Sequence, residues 1–369
     1  VNRKKISEWE KDQWRYALKA TEWGIKIGRM PQGDQNQITD VPGVRVGHAT
    51  LKAGGRQTGV TVVLPPENPF EVQYTAASEV FNGFGKSIGL MQIDTLGTLE
   101  SPIALTNTLN VGRVADALIQ IAIDQNGNEV STYNPVVMEC NDSYLNDIQT
   151  RSVDFQMVRE AMDTASARFE EGAIGGGRGM TSFGLKGGIG SASRKIEVGE
   201  EAESQSYVLG VLVQTNFGKL QDLRIDGYPV GEKLENGGLK QSTEPDKGSI
   251  IVVMATDLPL SSRQIKRILK RSMIGIARTG GYMGNGSGEV AVGFTTASPG
   301  DRKNEHAVTE RDVLNESLMD LAFRAMAECT EESILNAMFS AETVVGTEGH
   351  VRESLGERLG AVGSPWRWK

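Results

Sequence analysis

An α/β fold is what this sequence predicts, on two patterns and one compositional oddity. Short apolar runs, at Pro135 to Glu139, Tyr207 to Val213 and Ile250 to Met254, have the length of strands covered on both faces. Among them lie segments with apolar residues three and four apart, at Arg113 to Asp124, Val158 to Glu170 and Ser261 to Ile276, the spacing of helices that bury one stripe. The oddity is 44 glycines scattered through apolar segments. They form no repeat, which excludes collagen and simple linkers and points to tight turns and close backbone contacts.

Residues 7 to 27, with Trp9, Trp14, Tyr16, Ala17 and Trp23, predict an amphipathic helix in a peripheral arm. A β start follows: Ile38 to His48 alternates around Pro42-Gly43, and Gly59 to Leu64 ends at Pro65-Pro66. Nothing near His48 completes a catalytic set, so it reads as a strand-face histidine. Ile103 to Gly112 is a strand and turn leading into the helix from Arg113. Asn107 and Asn110 either tie down that turn or serve a site. The strand ending at Glu139 runs into the polar turn Asn141 to Asp147, and a polar cluster at a strand end is a usual place for a site.

The glycine run Gly172 to Met180 invites a phosphate cradle but does not fit one. Met180 stands where a third glycine is needed, no Lys-Ser/Thr pair follows, and strand-like residues come next. Ser261 and Gln264 make a capping box, with Leu260 and Ile265 as its staple and Ile265, Ile268, Leu269, Met273 and Ile276 as the apolar face. Arg263, Arg267, Arg271 and Arg278 solvate the other side. In the strand after Gly280 to Glu289, Val290, Val292 and Phe294 alternate; residues 309 to 341 read as two helices broken near Cys329-Thr330, with Met319, Met326 and Met338 as core filler.

Composition narrows the function. With 47 acidic against 39 basic residues the net charge is −8, which argues against a general nucleic-acid binder. No apolar run is long enough to span a bilayer, so a soluble protein is expected; because the chain starts at Val1, an upstream segment is expected to have been removed. Cys140 and Cys329 sit in apolar surroundings that suit free thiols and leave the compartment open, and His48, His306 and His350 lack zinc-site spacing. Neither a metal nor another cofactor is expected.

The chemistry centres on Ser249, first residue of the strand Ile250 to Met254, after Gly248 and the polar loop Glu244-Pro245-Asp246-Lys247. An ordinary strand start after a turn has the same look. A protein that cuts its own Gly248-Ser249 bond would instead give Ser249 a hydroxyl and a free α-amine, whose unperturbed pKa of roughly 8 suits a general base for that hydroxyl. Ser287 and Glu289, two apart on a strand, share a face and can hold an ammonium, the third-group role beside a nucleophile and its base. Asn216, ending a buried strand, can offer its amide N–H to an oxyanion.

The chain resembles the β-peptidyl aminopeptidases and the L-aminopeptidase/D-amidase/esterases, self-processing hydrolases with an N-terminal serine. The resemblance runs from about Ile38 through Thr39-Asp40-Val41-Pro42-Gly43-Val44, Asn107-Thr108-Leu109-Asn110-Val111-Gly112, Asn141-Asp142-x-x-Leu145-Asn146-Asp147, Gly172-x-x-Gly175-Gly176-Gly177, Gly248-Ser249-Ile250-Ile251 and Gly286-Ser287-Gly288-Glu289. It implies a four-layer α/β/β/α sandwich similar to the N-terminal-nucleophile hydrolases but differently connected. One domain over 1–369 would be cut into 1–248 and 249–369, with 1–37 as an N-terminal arm that the resemblance does not reach. It further implies Ser249 as nucleophile, Ser287 and Glu289 as support for its α-amine, Asn216 and Tyr144 on the oxyanion side, and Glu139 at the substrate's amine.

The implied substrates are short peptides, amides or esters with a free amino terminus, β-peptides included, and the implied assembly is a homo-oligomer of processed heterodimers. No nucleic-acid or membrane partner is expected. Two other classes stay open at this point. An acyltransferase of the ornithine acetyltransferase type is expected to carry threonine where this chain has Ser249, and a non-catalytic glycine-rich binding protein would remain uncut.

Overall fold

The computed structural model describes residues 19–199, 204–236, 238, 248–303, 308 and 310–362. Its strands, in chain order, are β1 (Arg45–Ala53), β2 (Arg56–Leu64), β3 (Val72–Gly83), β4 (Thr98–Leu99), β5 (Ile103–Asn107), β6 (Val136–Cys140), β7 (Thr181–Ser182), β8 (Leu185–Lys186), β9 (Gly188–Val198), β10 (Gln205–Asn216), β11 (Ser249–Thr256), β12 (Gly288–Thr295), β13 (Gly300–Asp301), β14 (Val344–Val345) and β15 (Val351–Arg352). Two sheets carry the architecture. One has four strands in the order β1-β2-β5-β6; the other has seven, in the order β13-β3-β12-β11-β10-β9 with β4 beside β3.

Alternation along the strands sorts side chains into three apolar layers. Ile251 and Val253 of β11 and Val290 and Val292 of β12 meet Val63, Leu105, Val136 and Met138 of the smaller sheet between the two sheets. Their neighbours Ile250, Val252 and Ala291 point the other way, onto a layer formed with the helices Ser262–Leu269, Ser272–Arg278 and Met319–Phe339. Val60, Val62 and Ala104 pack outward on the helices Val111–Asn126 and Phe155–Asp163. The result is the four-layer α/β/β/α sandwich.

Parallel pairing sets where strand ends meet. β5 and β6 are parallel and joined by the helix Val111–Asn126; β11 and β12 are parallel and joined through Ser262–Leu269 and Ser272–Arg278. A parallel neighbour needs such a crossover and brings both strand starts to one edge. β10 is antiparallel to β11, so its last residue arrives at that same edge.

Several boundaries differ from the sequence reading. Ile38–Asp40 is a 3₁₀ turn and β1 starts only at Arg45, because the Asp40 carboxylate accepts from the Gln35 and Gln37 N–H groups and the Ser193 hydroxyl. The helix expected to reach Glu170 stops at Asp163, and Ser166 pairs with Val46 through two backbone hydrogen bonds. The Ser261/Gln264 capping box forms, but its helix ends at Leu269. The Ser272 hydroxyl donates to the Leu269 carbonyl, a new helix starts, and Met273 is left exposed instead of continuing the apolar face.

Residues 309 to 341 do not make two helices broken at Cys329-Thr330: Met319–Phe339 is one helix. Thr330 donates its hydroxyl to the Met326 carbonyl one turn back, so its polar group is satisfied without a break. Residues 19–37 lie along this helix. The Ala20 N–H donates to Asn336, those of Arg29 and Met30 to Glu328, and the Gln32 and Asn36 amides to Glu332. Trp9, Trp14, Tyr16 and Ala17 of the expected arm, the loop Glu244 to Lys247 and His306 lie outside the described residues.

Candidate active site

Ser249 opens β11 and is buried. On one side its register partner is Asn216, the last residue of β10; on the other it is Gly288, the first of β12. Residues paired across two strands share a face, so the Asn216 and Ser249 side chains both point between the sheets. The Asn216 Oδ1 accepts from the Thr181 N–H at 2.8 Å, which fixes the amide and leaves its N–H₂ as the group available to a reacting carbonyl. Among the described residues the Ser249 hydroxyl has no regular hydrogen-bond partner; it faces the Cys140 thiol, whose pKa burial pushes up to about 12.

The bond ahead of Ser249 is tightly enclosed. A Cβ on Gly248 would lie 2.4 Å from the Asn216 carbonyl oxygen and 2.5 Å from the Phe217 Cα, so only glycine fits. The Gly248 carbonyl accepts from the Gly288 N–H at 3.1 Å. Ser287 and Glu289 flank Gly288, both buried, with the Ser287 hydroxyl donating to Glu289 Oε1. Asn82 on β3 holds their loop by donating its amide to the Gly284 and Ser287 carbonyls, at 2.8 and 2.6 Å.

Glu139 is buried near the end of β6. Its carboxylate accepts from the Lys86 N–H at 2.8 Å and from the Thr108 hydroxyl. It approaches Gly85, and Gly85 in turn packs on Gly288, so the carboxylate stands on the β12 side of Ser249. Tyr144 is 39% exposed beyond the same strand. Its ring stacks on His350 with centroids 4.5 Å apart, and the Arg352 guanidinium lies 3.3 Å from its centre. Arg352 Nε donates to the Thr181 hydroxyl at 3.2 Å, which joins Tyr144 to the segment holding Asn216.

Other polar residues support this end of the sandwich. Asn107 caps the turn after β5 by accepting from the Asn110 N–H, and its amide donates to Thr58 and Asp142. Burial pushes the Asp142 carboxyl up to about 6, against hydrogen bonds from Thr58, Asn146 and Asn107. The glycine run is steric in purpose: a Cβ on Gly176 would lie 2.3 Å from Gln214 Oε1 and 2.6 Å from the Leu105 carbonyl oxygen. Lys186, wholly buried, donates to the Gly177, Met180 and Gly187 carbonyls, clasping this run to the Thr181 segment. Burial drives its pKa well below the usual lysine range.

The structure therefore gathers Ser249, Asn216, Ser287 and Glu289 at one edge, with Glu139 and Tyr144 near its rim. Asn82, Thr181, Lys186 and Arg352 were not foreseen. Their parts depend on backbone groups distant in sequence, and no local pattern marks them.

The profile of peptidase family S58 matches residues 36–352. The chain belongs to peptidase family S58. It is 36% identical over 359 residues to the β-peptidyl aminopeptidase BapA of Sphingosinicella microcystinivorans, covering 91% of this chain and 89% of that one. Among solved structures, a protein from Pyrococcus horikoshii OT3 superposes with a TM-score of 0.88 at 43% identity, over 95% of this chain and 99% of that one. The L-aminopeptidase D-Ala-esterase/amidase of Ochrobactrum anthropi, described as a prototype for the serine aminopeptidases and a new variant among the Ntn hydrolase fold, does so at 0.84 and 33% identity, over 95% and 99%. This S58 member is accordingly a hydrolase, an aminopeptidase of the N-terminal-nucleophile kind, and these relatives favour that class over the acyltransferase alternative. Among the described residues no helix is long and apolar enough to cross a membrane.

Proposed function

We propose that this S58 chain cuts its own Gly248-Ser249 bond and then removes the N-terminal residue from short peptides, amides or esters, β-amino residues included, through an ester on Ser249. One observation carries the reading: Ser249 heads its strand between Asn216 and Gly288, while the Gly248 carbonyl accepts from the Gly288 N–H. That hydrogen bond polarises the carbonyl that the Ser249 hydroxyl must attack. Attack moves the Gly248 acyl group from nitrogen to oxygen, and water then releases a Gly248 carboxylate and a Ser249 α-amine.

In turnover the α-amine takes the proton of the Ser249 hydroxyl as the oxygen adds to the substrate carbonyl. The Asn216 amide donates to the oxyanion, with Tyr144 on the same side. The proton passes to the departing amine, and water added through the same base releases the acid. Ser287 and Glu289 hold the α-amine in place and tune it, and Glu139 receives the substrate's ammonium. The processed large and small pieces form a heterodimer, and heterodimers associate into a homo-oligomer. β-Amino substrates are included because a named relative is a β-peptidyl aminopeptidase.

The test is turnover of an aminoacyl p-nitroanilide beside its N-acetylated form. Cleavage of the free-amine substrate alone is expected; equal turnover of both would exclude an aminopeptidase.

A further inference from the structure

Arg352 is a half-buried guanidinium with no carboxylate partner among the described residues. Its fixed contacts are neutral: the Thr181 hydroxyl, the Val351 carbonyl at 3.3 Å, and the Tyr144 ring. Burial lowers its pKa, and Tyr144 opposes that shift. A cation desolvated in this way gains most from an anion that arrives with its own charge, and the planar fork of arginine suits a carboxylate.

Its position says which anion. The seven-stranded sheet runs β3-β12-β11-β10 across Ser249. Glu139 and Gly85 stand on the β12–β3 side, whereas Arg352 reaches the β10 side through Thr181 and Asn216. The anionic and cationic groups thus flank the nucleophile from opposite sides. An extended peptide, at about 3.5 Å per residue, presents its two charged ends in opposite directions, as this pair of groups requires.

We infer that Arg352 receives the C-terminal carboxylate of the substrate, which makes short peptides with a free acid end the preferred class over their amides. The inference rests on the aminopeptidase reading above. A peptide then lies with its ammonium at Glu139, its first carbonyl over Ser249 and its carboxylate at Arg352.

The experiment compares a β-alanyl dipeptide acid with its C-terminal carboxamide on the processed wild-type protein and on the Arg352→Gln and Arg352→Lys variants. The wild type is expected to favour the acid. In Arg352→Gln the acid-to-amide ratio of kcat/KM is expected to fall about tenfold, mainly through KM for the acid, with Arg352→Lys in between. A ratio that stays constant while both substrates slow together means that Arg352 only supports Tyr144, and overturns the inference; so does a wild type that prefers the amide. Because the readout is a ratio within each protein, reduced folding does not mimic it, and the lysine variant supplies it where the glutamine variant does not fold. Hydrolysis of neither compound by the wild type would fell the aminopeptidase reading itself.

Discussion

Asn216 and Ser249 stand opposite each other at the ends of antiparallel strands, with the Asn216 Oδ1 already engaged by the Thr181 N–H at 2.8 Å. The orientation of the amide is thus set before any substrate arrives, as an oxyanion donor requires. Asn216→Asp retains an acceptor for Thr181 and loses the donor. A fall in kcat of about 10²- to 10³-fold with KM nearly unchanged is expected from steady-state kinetics. Unaltered kcat would remove Asn216 from the oxyanion side.

Glu289→Gln retains an acceptor for the Ser287 hydroxyl while removing the charge. In fully processed protein, kcat is expected to fall at least about tenfold. The sign of the pH effect follows from the charge. A carboxylate beside an ammonium favours the charged form, so its loss lowers the α-amine pKa and moves the acidic limb of the kcat/KM profile to lower pH. Wild-type turnover and an unmoved limb would reduce Glu289 to a structural residue.

Glu139 accepts from the Lys86 N–H and the Thr108 hydroxyl and retains lone-pair capacity for an ammonium. Glu139→Gln is expected to raise KM for free-amine substrates about tenfold or more. Kinetics on a short aminoacyl amide check this. An unchanged KM would place the substrate amine elsewhere.

Burial pushes the His48 imidazole down to about 4, against a smaller opposing effect of the Glu170 backbone, while its Nδ1 sits 2.9 Å from the Thr61 hydroxyl. On acidification below about 6.5 the unfolded chain binds this proton before the folded one does. Stability from this group is therefore present above that pH and is lost by about pH 4. Asp142 acts in the opposite sense: its raised carboxyl makes the fold less stable as pH climbs from about 4 to about 6. Thermal melts from pH 7 to pH 4 should show a shallower acid loss in His48→Asn than in the wild type. An identical slope would contradict the buried neutral imidazole.

Much of this architecture was readable because burial is written into short segments. The residues from Ile250 to Met254 read as a covered strand and form one, and the Ser261/Gln264 box marked its helix start to the residue. Helix ends were less readable. Thr164, Ser272 and Thr330 each satisfy a backbone carbonyl locally, and tertiary packing decides whether such a residue ends, restarts or continues a helix. At the site, Ser287 and Glu289 were visible as a two-residue pattern. The facing of Asn216 and Ser249 depends on strand register, and the clasp of Lys186 on three carbonyls on a fold already formed, so neither could be read from neighbours in the chain.

In the proposed mechanism Ser249 acts first on its own chain and then on substrate. The hydroxyl attacks a carbonyl held beside it, so proximity favours the cut even for a poorer nucleophile. Ser249→Ala should fold, remain uncut and be inactive, while Ser249→Cys or Ser249→Thr should cut yet turn over substrate slowly. Intact-mass and N-terminal analysis of purified wild-type protein beside Ser249→Ala decides between the two outcomes. A smaller piece beginning Ser249-Ile250-Ile251 is expected in the wild type and a single uncut chain in the variant. Active wild-type protein that stays a single chain, or an alanine variant that splits normally, would contradict the mechanism.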